Sequence, residues 1–89
     1  MFYFYVIQDQ LSKLYFGSTN DLKRRLKEHQ EGGVRSTKGK EWRLVYYESY
    51  FSEADARERE HKVKQNTGTK KHLLNRIAIS RQQESKGRG

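Results

Sequence analysis

The sequence predicts an α+β fold: a small three-stranded antiparallel sheet layered against flanking helices, in the order β-β-α-β-α-α. Three observations predict it. Two aromatic runs, Phe2–Ile7 and Leu14–Phe16, flank a short polar break, as the strands of a hairpin do. A third run, WRLVYY over Trp42–Tyr47, is again aromatic and β-branched. Cap residues followed by charged segments of helical spacing fill the intervals.

Phe2–Ile7 reads as the first strand, with Phe2, Phe4 and Val6 on one side and Tyr3, Tyr5 and Ile7 on the other. Both sides are apolar or aromatic, so both should be covered. Gln8–Lys13 is a polar loop, and Leu14–Gly17 pairs back. Gly17 is either a plain strand-ending glycine or a place where backbone must be approached closely. A helix is expected over Asp21–Gln30, stopped by Gly32 and Gly33. Leu22 and Leu26 define its apolar face. At 100° per residue Arg25 lies about 60° from Leu22 and His29 about 20°, so both turn toward the sheet. Lys23, Arg24, Lys27 and Glu28 turn to solvent.

The third strand, with Trp42, Leu44 and Tyr46 alternating against Arg43, Val45 and Tyr47, leads to Tyr50 and Phe51, which are expected to pack where the chain turns. Ser52 caps a second helix, with Asp55 as its weak partner, running to about Gln65. Ala56 and Val63 mark its inner stripe, and Glu60 lies about 40° from Ala56 and about 60° from Val63. Asn66–Thr69 reads as a turn. A third helix is expected over Lys70–Ser80, with Leu73, Leu74, Ile77 and Ala78 inward and Lys70 on the same face. Residues 1–80 form one domain, and the basic segment 81–89 reads as a disordered tail.

The 89 residues carry a net charge of +8, which points to an anionic partner, nucleic acid first. Residues 81–89 hold three basic side chains and one acidic, so only +2 of the +8 sits there. The chain has no cysteine, which excludes a disulfide framework and a thiolate metal site. No apolar run reaches the roughly 18 residues of a membrane helix, and the N-terminus lacks the pattern of a signal peptide. The expected location is cytoplasmic, at the nucleoid.

Chemistry narrows by elimination. No nucleophilic cysteine, no phosphate-cradling glycine loop and no zinc-spaced histidine pair is present. His29, His61 and His72 lie far apart in the chain. What remains is tyrosines beside a basic residue and one inward carboxylate. Phosphodiester hydrolysis uses such a kit: a base, a cation for the developing charge, and a carboxylate for a hard divalent ion. A tyrosine serves as base only where positive charge lowers its pKa. The bland alternatives are an Arg25 stem that snorkels out, a satisfied His29 at the core edge, and a buried Glu60–Arg25 ion pair. The basic loop Gly32–Glu41 is a solvated connection or a phosphate contact through Arg35, Lys38 and Lys40.

The YFY run at 3–5, the YFG run at 15–17 and the helix DLKRRLKEH together resemble the GIY-YIG endonuclease superfamily, its small single-domain bacterial members above all. The ten-residue step from Tyr5 to Tyr15 fits, as do the STK loop, the WRLVYYE strand and the segment AREREHKVK. The first signature departs from the pattern at Tyr3 and Phe4, the second at Phe16. The resemblance implies a metal-dependent DNA endonuclease of low sequence specificity, working in repair or processing. It implies one Mg²⁺ or Mn²⁺ ion on Glu60, Arg25 on the scissile phosphate, and Tyr5 or Tyr15 as general base. It also implies a catalytic place for His29 and a structural one for Gly17. Arg35, Lys38 and Lys40 of the basic loop and Lys70 at the start of the third helix are the expected DNA contacts. DNA, structured or branched forms included, is the expected partner; RNA stays open, and neither a membrane nor a small-molecule cofactor is expected. The rival expectation is a module of the same fold that grips DNA or RNA without cutting.

Overall fold

The computed structural model describes residues 1–34 and 39–88, with side chains described through residue 78. Its elements are β1 (Phe2–Gln8), β2 (Leu14–Thr19), α1 (Leu22–Gln30), β3 (Arg43–Tyr50), α2 (Glu53–Gln65) and α3 (Thr67–Arg88). The sheet has the order β2-β1-β3, with β1 central and antiparallel to both neighbours. This is the α+β order β-β-α-β-α-α expected from the sequence.

The first hairpin is built by one buried carboxylate. Asp9 Oδ1 accepts hydrogen bonds from the backbone N–H groups of Leu11 (2.9 Å) and Lys13 (2.8 Å), which wraps the polar break into a turn. Ser12 takes the left-handed conformation at φ 66°. Burial alone would push the Asp9 carboxyl up, but those backbone donors, then Lys40, hold it below the usual carboxylate range. The hairpin was legible as a loop; a buried aspartate within it was not.

Both faces of β1 are covered, as its double apolar pattern requires. On one face Phe4, Val6 and Phe16 pack with Val63 of α2 and with Leu73 and Ile77 of α3. On the other Tyr5, Ile7 and Trp42 meet Tyr15, Leu44 and the α1 residues Leu22 and Leu26. Strict alternation in β3 fails at one point. Val6 pairs with Tyr46 and Ile7 with Leu44, so Val45 is the extra residue of a β-bulge. The bulge puts Val45 and Tyr46 both against the Phe4 face.

Both ends of β3, both ends of α3 and two side chains depart from expectation. β3 begins at Arg43 and continues to Tyr50. Phe51 does not pack; it is 92% exposed. Asn66 is a cap rather than a turn residue: its side chain accepts from the Thr69 N–H at 3.0 Å, so α3 starts at Thr67 instead of Lys70. The helix then passes the expected stop at Ser80 and runs through most of the segment read as a disordered tail, to Arg88. No proline or glycine falls between Ala78 and Lys86 to break it. Ala78, expected inward, is exposed. The capping of α2 follows the sequence, with Ser52 accepting from the Asp55 N–H.

Candidate active site

The site grows from one pair across the sheet, Tyr5 opposite Gly17. A Cβ on Gly17 would lie 2.6 Å from Tyr5 Cζ, so only glycine lets the ring lie flat across β2. The ring is thereby buried, 2% exposed, and its hydroxyl meets His29 Nε2 at 2.7 Å. His29 reaches that point because α1 has a fixed phase. Asp21 caps the helix by accepting from the Arg24 N–H, and from there His29 is fully buried, Arg25 half-buried and Arg24 exposed. Sequence geometry separated the two neighbouring arginines correctly.

Electrostatics follow from this packing. Burial pushes the Tyr5 phenol up to about 12, and the Arg25 guanidinium beside it pulls only part of the way back. Burial, then the Arg25 charge, pushes His29 down to about 4. At neutral pH the pair is a neutral phenol bonded to a neutral imidazole. Tyr15 packs edge-on against His29 and tilted against Tyr5, with ring centroids 4.9 Å and 6.5 Å away. The Arg25–Glu60 ion pair, the bland alternative for both residues, is not formed. Arg25 reaches Glu28 instead at 3.4 Å, which turns Glu28, expected in solvent, into a half-buried residue.

Glu60 stands on the inner side of α2, its side chain 23% exposed. Ser18 of β2 donates to Oε1 at 2.7 Å, and Lys64 one turn on donates to Oε2 at 2.6 Å. The Lys64 ammonium also lies 5.8 Å from the Tyr15 ring centroid. Among the described residues no three His, Cys, Asp or Glu side chains gather to hold a metal. The oxygen donors present nevertheless suit Mg²⁺ or Mn²⁺: a single accessible carboxylate with a hydroxyl beside it is enough for Mg²⁺, which keeps several waters. Glu60 is the residue that could hold it.

Next to Ser18 opens a cleft of about 360 Å³ between the N-terminal halves of α1 and α2. Ser18, Thr19, Arg24, Arg25, Glu28 and Arg57 are among its lining. Of the expected DNA contacts, Arg35 and Lys38 lie outside the described residues. Lys40 is engaged inward, 3.6 Å from Asp9 Oδ2 and over the Trp42 ring at 5.9 Å. Lys70 is exposed, with its ammonium over Phe16 at 5.4 Å. Ser18 and Lys64 escaped sequence reasoning. The i,i+4 spacing of Glu60 and Lys64 was a visible signal; nothing in the sequence pointed to Ser18.

A ββαβαα fold with two tyrosines, an arginine and a glutamate around one sheet edge defines a nuclease-like domain. The family described as the GIY-YIG catalytic domain matches residues 1–75, and the chain belongs to it. It is similar to a UPF0213 protein of Haloquadratum walsbyi, 36% identical over 74 residues, covering 81% of this chain and 83% of that one. A UPF0213 protein of Clostridium perfringens is 36% identical over 76 residues, covering 83% and 82%. Among solved structures, the solution NMR structure of a UPF0213 protein from Bacillus halodurans matches with a TM-score of 0.53 at 32% identity, covering 86% of this chain and 85% of that one.

Proposed function

We propose that the protein is a metal-dependent DNA endonuclease that hydrolyses phosphodiester bonds with little sequence specificity, acting in DNA repair or processing and on structured or branched DNA among its substrates. The single observation that supports this most is the Tyr5–His29 hydrogen bond of 2.7 Å beside the Arg25 guanidinium. A buried neutral histidine bonded to a buried phenol serves poorly as a mere structural contact, since an aliphatic pair would fill the space without desolvating two polar groups.

In this reading the scissile phosphate sits at the mouth of the cleft, where Arg25 balances the charge that builds on its oxygens. A Mg²⁺ or Mn²⁺ ion on Glu60 adds charge neutralisation and acidifies water when bound. Ser18 fixes the orientation of the Glu60 carboxylate through its hydroxyl. Water gives its proton to Tyr5 as the phenol proton moves to His29 Nε2 and the water oxygen attacks phosphorus. The P–O bond to the leaving strand breaks, solvent protonates that alkoxide, and the negative phosphate offsets the charge on an imidazolium that burial and Arg25 otherwise disfavour. The second tyrosine, Tyr15, keeps the imidazole in place by edge-on packing. Lys70, exposed at the start of α3, and Arg24 on the cleft rim take neighbouring phosphates.

Conversion of supercoiled plasmid to nicked and linear forms, with Mg²⁺ and with EDTA, tests the proposal. Cleavage with Mg²⁺ alone is expected. Tight DNA binding with no cleavage under any divalent ion would turn the assignment to the non-cleaving module.

A further inference from the structure

Among the described residues, side chains of α2 form four Glu–cation pairs, and they differ in where they point. Arg57–Glu53 and Lys62–Glu58 lie on the outer surface, with both partners of each pair more than half exposed. Arg59 turns to Glu48 on β3. Only Lys64–Glu60 faces the candidate site, at 2.6 Å, and Glu60 is the least exposed acid of the helix that carries it. The obvious inward partner, Arg25, is engaged by Glu28 and Tyr5. Lys64 is thus the cation that balances the carboxylate on which the function proposed above depends.

We propose that Lys64 holds the place of the divalent ion on Glu60 while the protein is metal-free, and that binding of the ion releases its ammonium to a phosphate of the bound DNA. The inference rests on the site assignment made above. An ammonium on Glu60 Oε2 and a dication on the same carboxylate repel at a few ångströms, so both cannot keep the position. Lys64 can leave at little cost. Its side chain is 45% exposed, so the ammonium can exchange Glu60 and the Tyr15 ring, 5.8 Å from it, for water or a phosphate. Once free, it adds one positive charge beside Glu60 and Tyr15, available to a phosphate of the bound DNA. The metal and DNA sites are coupled through one side chain.

The test follows Mn²⁺ binding to the full chain by the electron paramagnetic resonance of the free ion. Lys64→Met is expected to tighten Mn²⁺ binding by about three- to tenfold, since a competing pair and a like charge are both removed. Lys64→Arg, which keeps the charge, is expected to stay near the parental affinity. In parallel, binding of a short DNA duplex is measured against salt with and without Ca²⁺. Lys64→Met should lower the salt slope by about 1 with Ca²⁺ present and leave it unchanged without, because Lys64 is spent on Glu60 in the metal-free protein. Unchanged Mn²⁺ affinity in a folded Lys64→Met protein overturns the inference, as does an equal slope change in both conditions. Glu60→Gln separates this from failure of the site assignment: parental Mn²⁺ affinity in that variant places the ion elsewhere and removes both.

Discussion

Two half-buried carboxylates, Glu48 and Glu60, sit on opposite sides of the protein's working logic. Glu48 is saturated. Tyr46 and Tyr50 each donate to it at 2.6 Å, and Arg59 closes on both oxygens at 2.9 and 3.2 Å. Burial would raise its pKa, but these donors, the two tyrosines first, hold it below the usual carboxylate range. Arg59 also lies over Phe4 at 5.8 Å, so the cluster ties β3 and α2 to the core. Glu60 has one neutral donor and one removable ammonium. Tyrosines show the same contrast. Tyr50 and Tyr5 are both pushed up to about 12, after burial by a Glu48 hydrogen bond in one case and against an Arg25 charge in the other. A polar cluster with every oxygen occupied by fixed donors serves stability; Glu60, held by one hydroxyl and one half-exposed ammonium, suits the ion proposed for it.

The largest effect expected is at Arg25. Arg25→Ala should lower plasmid cleavage by about 10²-fold or more, the scale of losing one electrostatic contact to the transition state. Gly17→Ala should come next, because its Cβ would meet the Tyr5 ring, which cannot move within a packed sheet. It should cost about 1–3 kcal/mol by chemical denaturation, together with most of the cleavage through loss of the Tyr5–His29 bond. Glu48→Gln should cost about 1–3 kcal/mol while the folded fraction still cleaves.

Acid should reveal His29. Its folded pKa of about 4 lies below the ordinary 6.5, so the unfolded chain takes up the proton first. The stability of the neutral imidazole is complete above pH 6.5 and is lost progressively as pH falls toward 4. Asp9 and Glu48, both lowered, should lose their contributions only further down. A melting temperature that falls between pH 6.5 and 5, and a shallower fall in His29→Gln, would agree; an identical slope in both proteins would not. The smallest effect is expected at Arg24. Its side chain is exposed and bonded to Asn20 at 2.8 Å, so Arg24→Ala should change cleavage by only a few-fold, through binding.

Most of the fold was legible because the strands are aromatic and the caps explicit. The phase of α1 followed from Leu22 and Leu26, and that phase alone separated Arg25 from Arg24. Helix α3 differs from expectation at both ends because Asn66 in an NTGT run reads equally as turn or cap, and because no proline or glycine breaks the helix between Ser80 and Lys86. Bulge and buried turn were hidden for a common reason. Val45 is placed by pairing across strands, and Asp9 is buried by Lys40 and the loop that carries it, neither of which a single sequence displays. Glu60 was identified as inward from its angle, yet its partners were not. Ser18 is 42 residues away along the chain, and Arg25 was drawn off by Glu28, a local i,i+3 contact.

The most direct test compares Glu60→Gln with Glu48→Gln, measuring Mg²⁺-dependent plasmid nicking and melting temperature on the same preparations. Glu60→Gln keeps shape and hydrogen bonding, so it should melt close to the parent, bind DNA without metal, and fail to nick. Glu48→Gln should melt about 5 °C or more lower and nick at the parental rate below its transition. A well-folded Glu60→Gln protein that nicks at the parental rate contradicts the account, because the exchangeable carboxylate would then have no part in the chemistry.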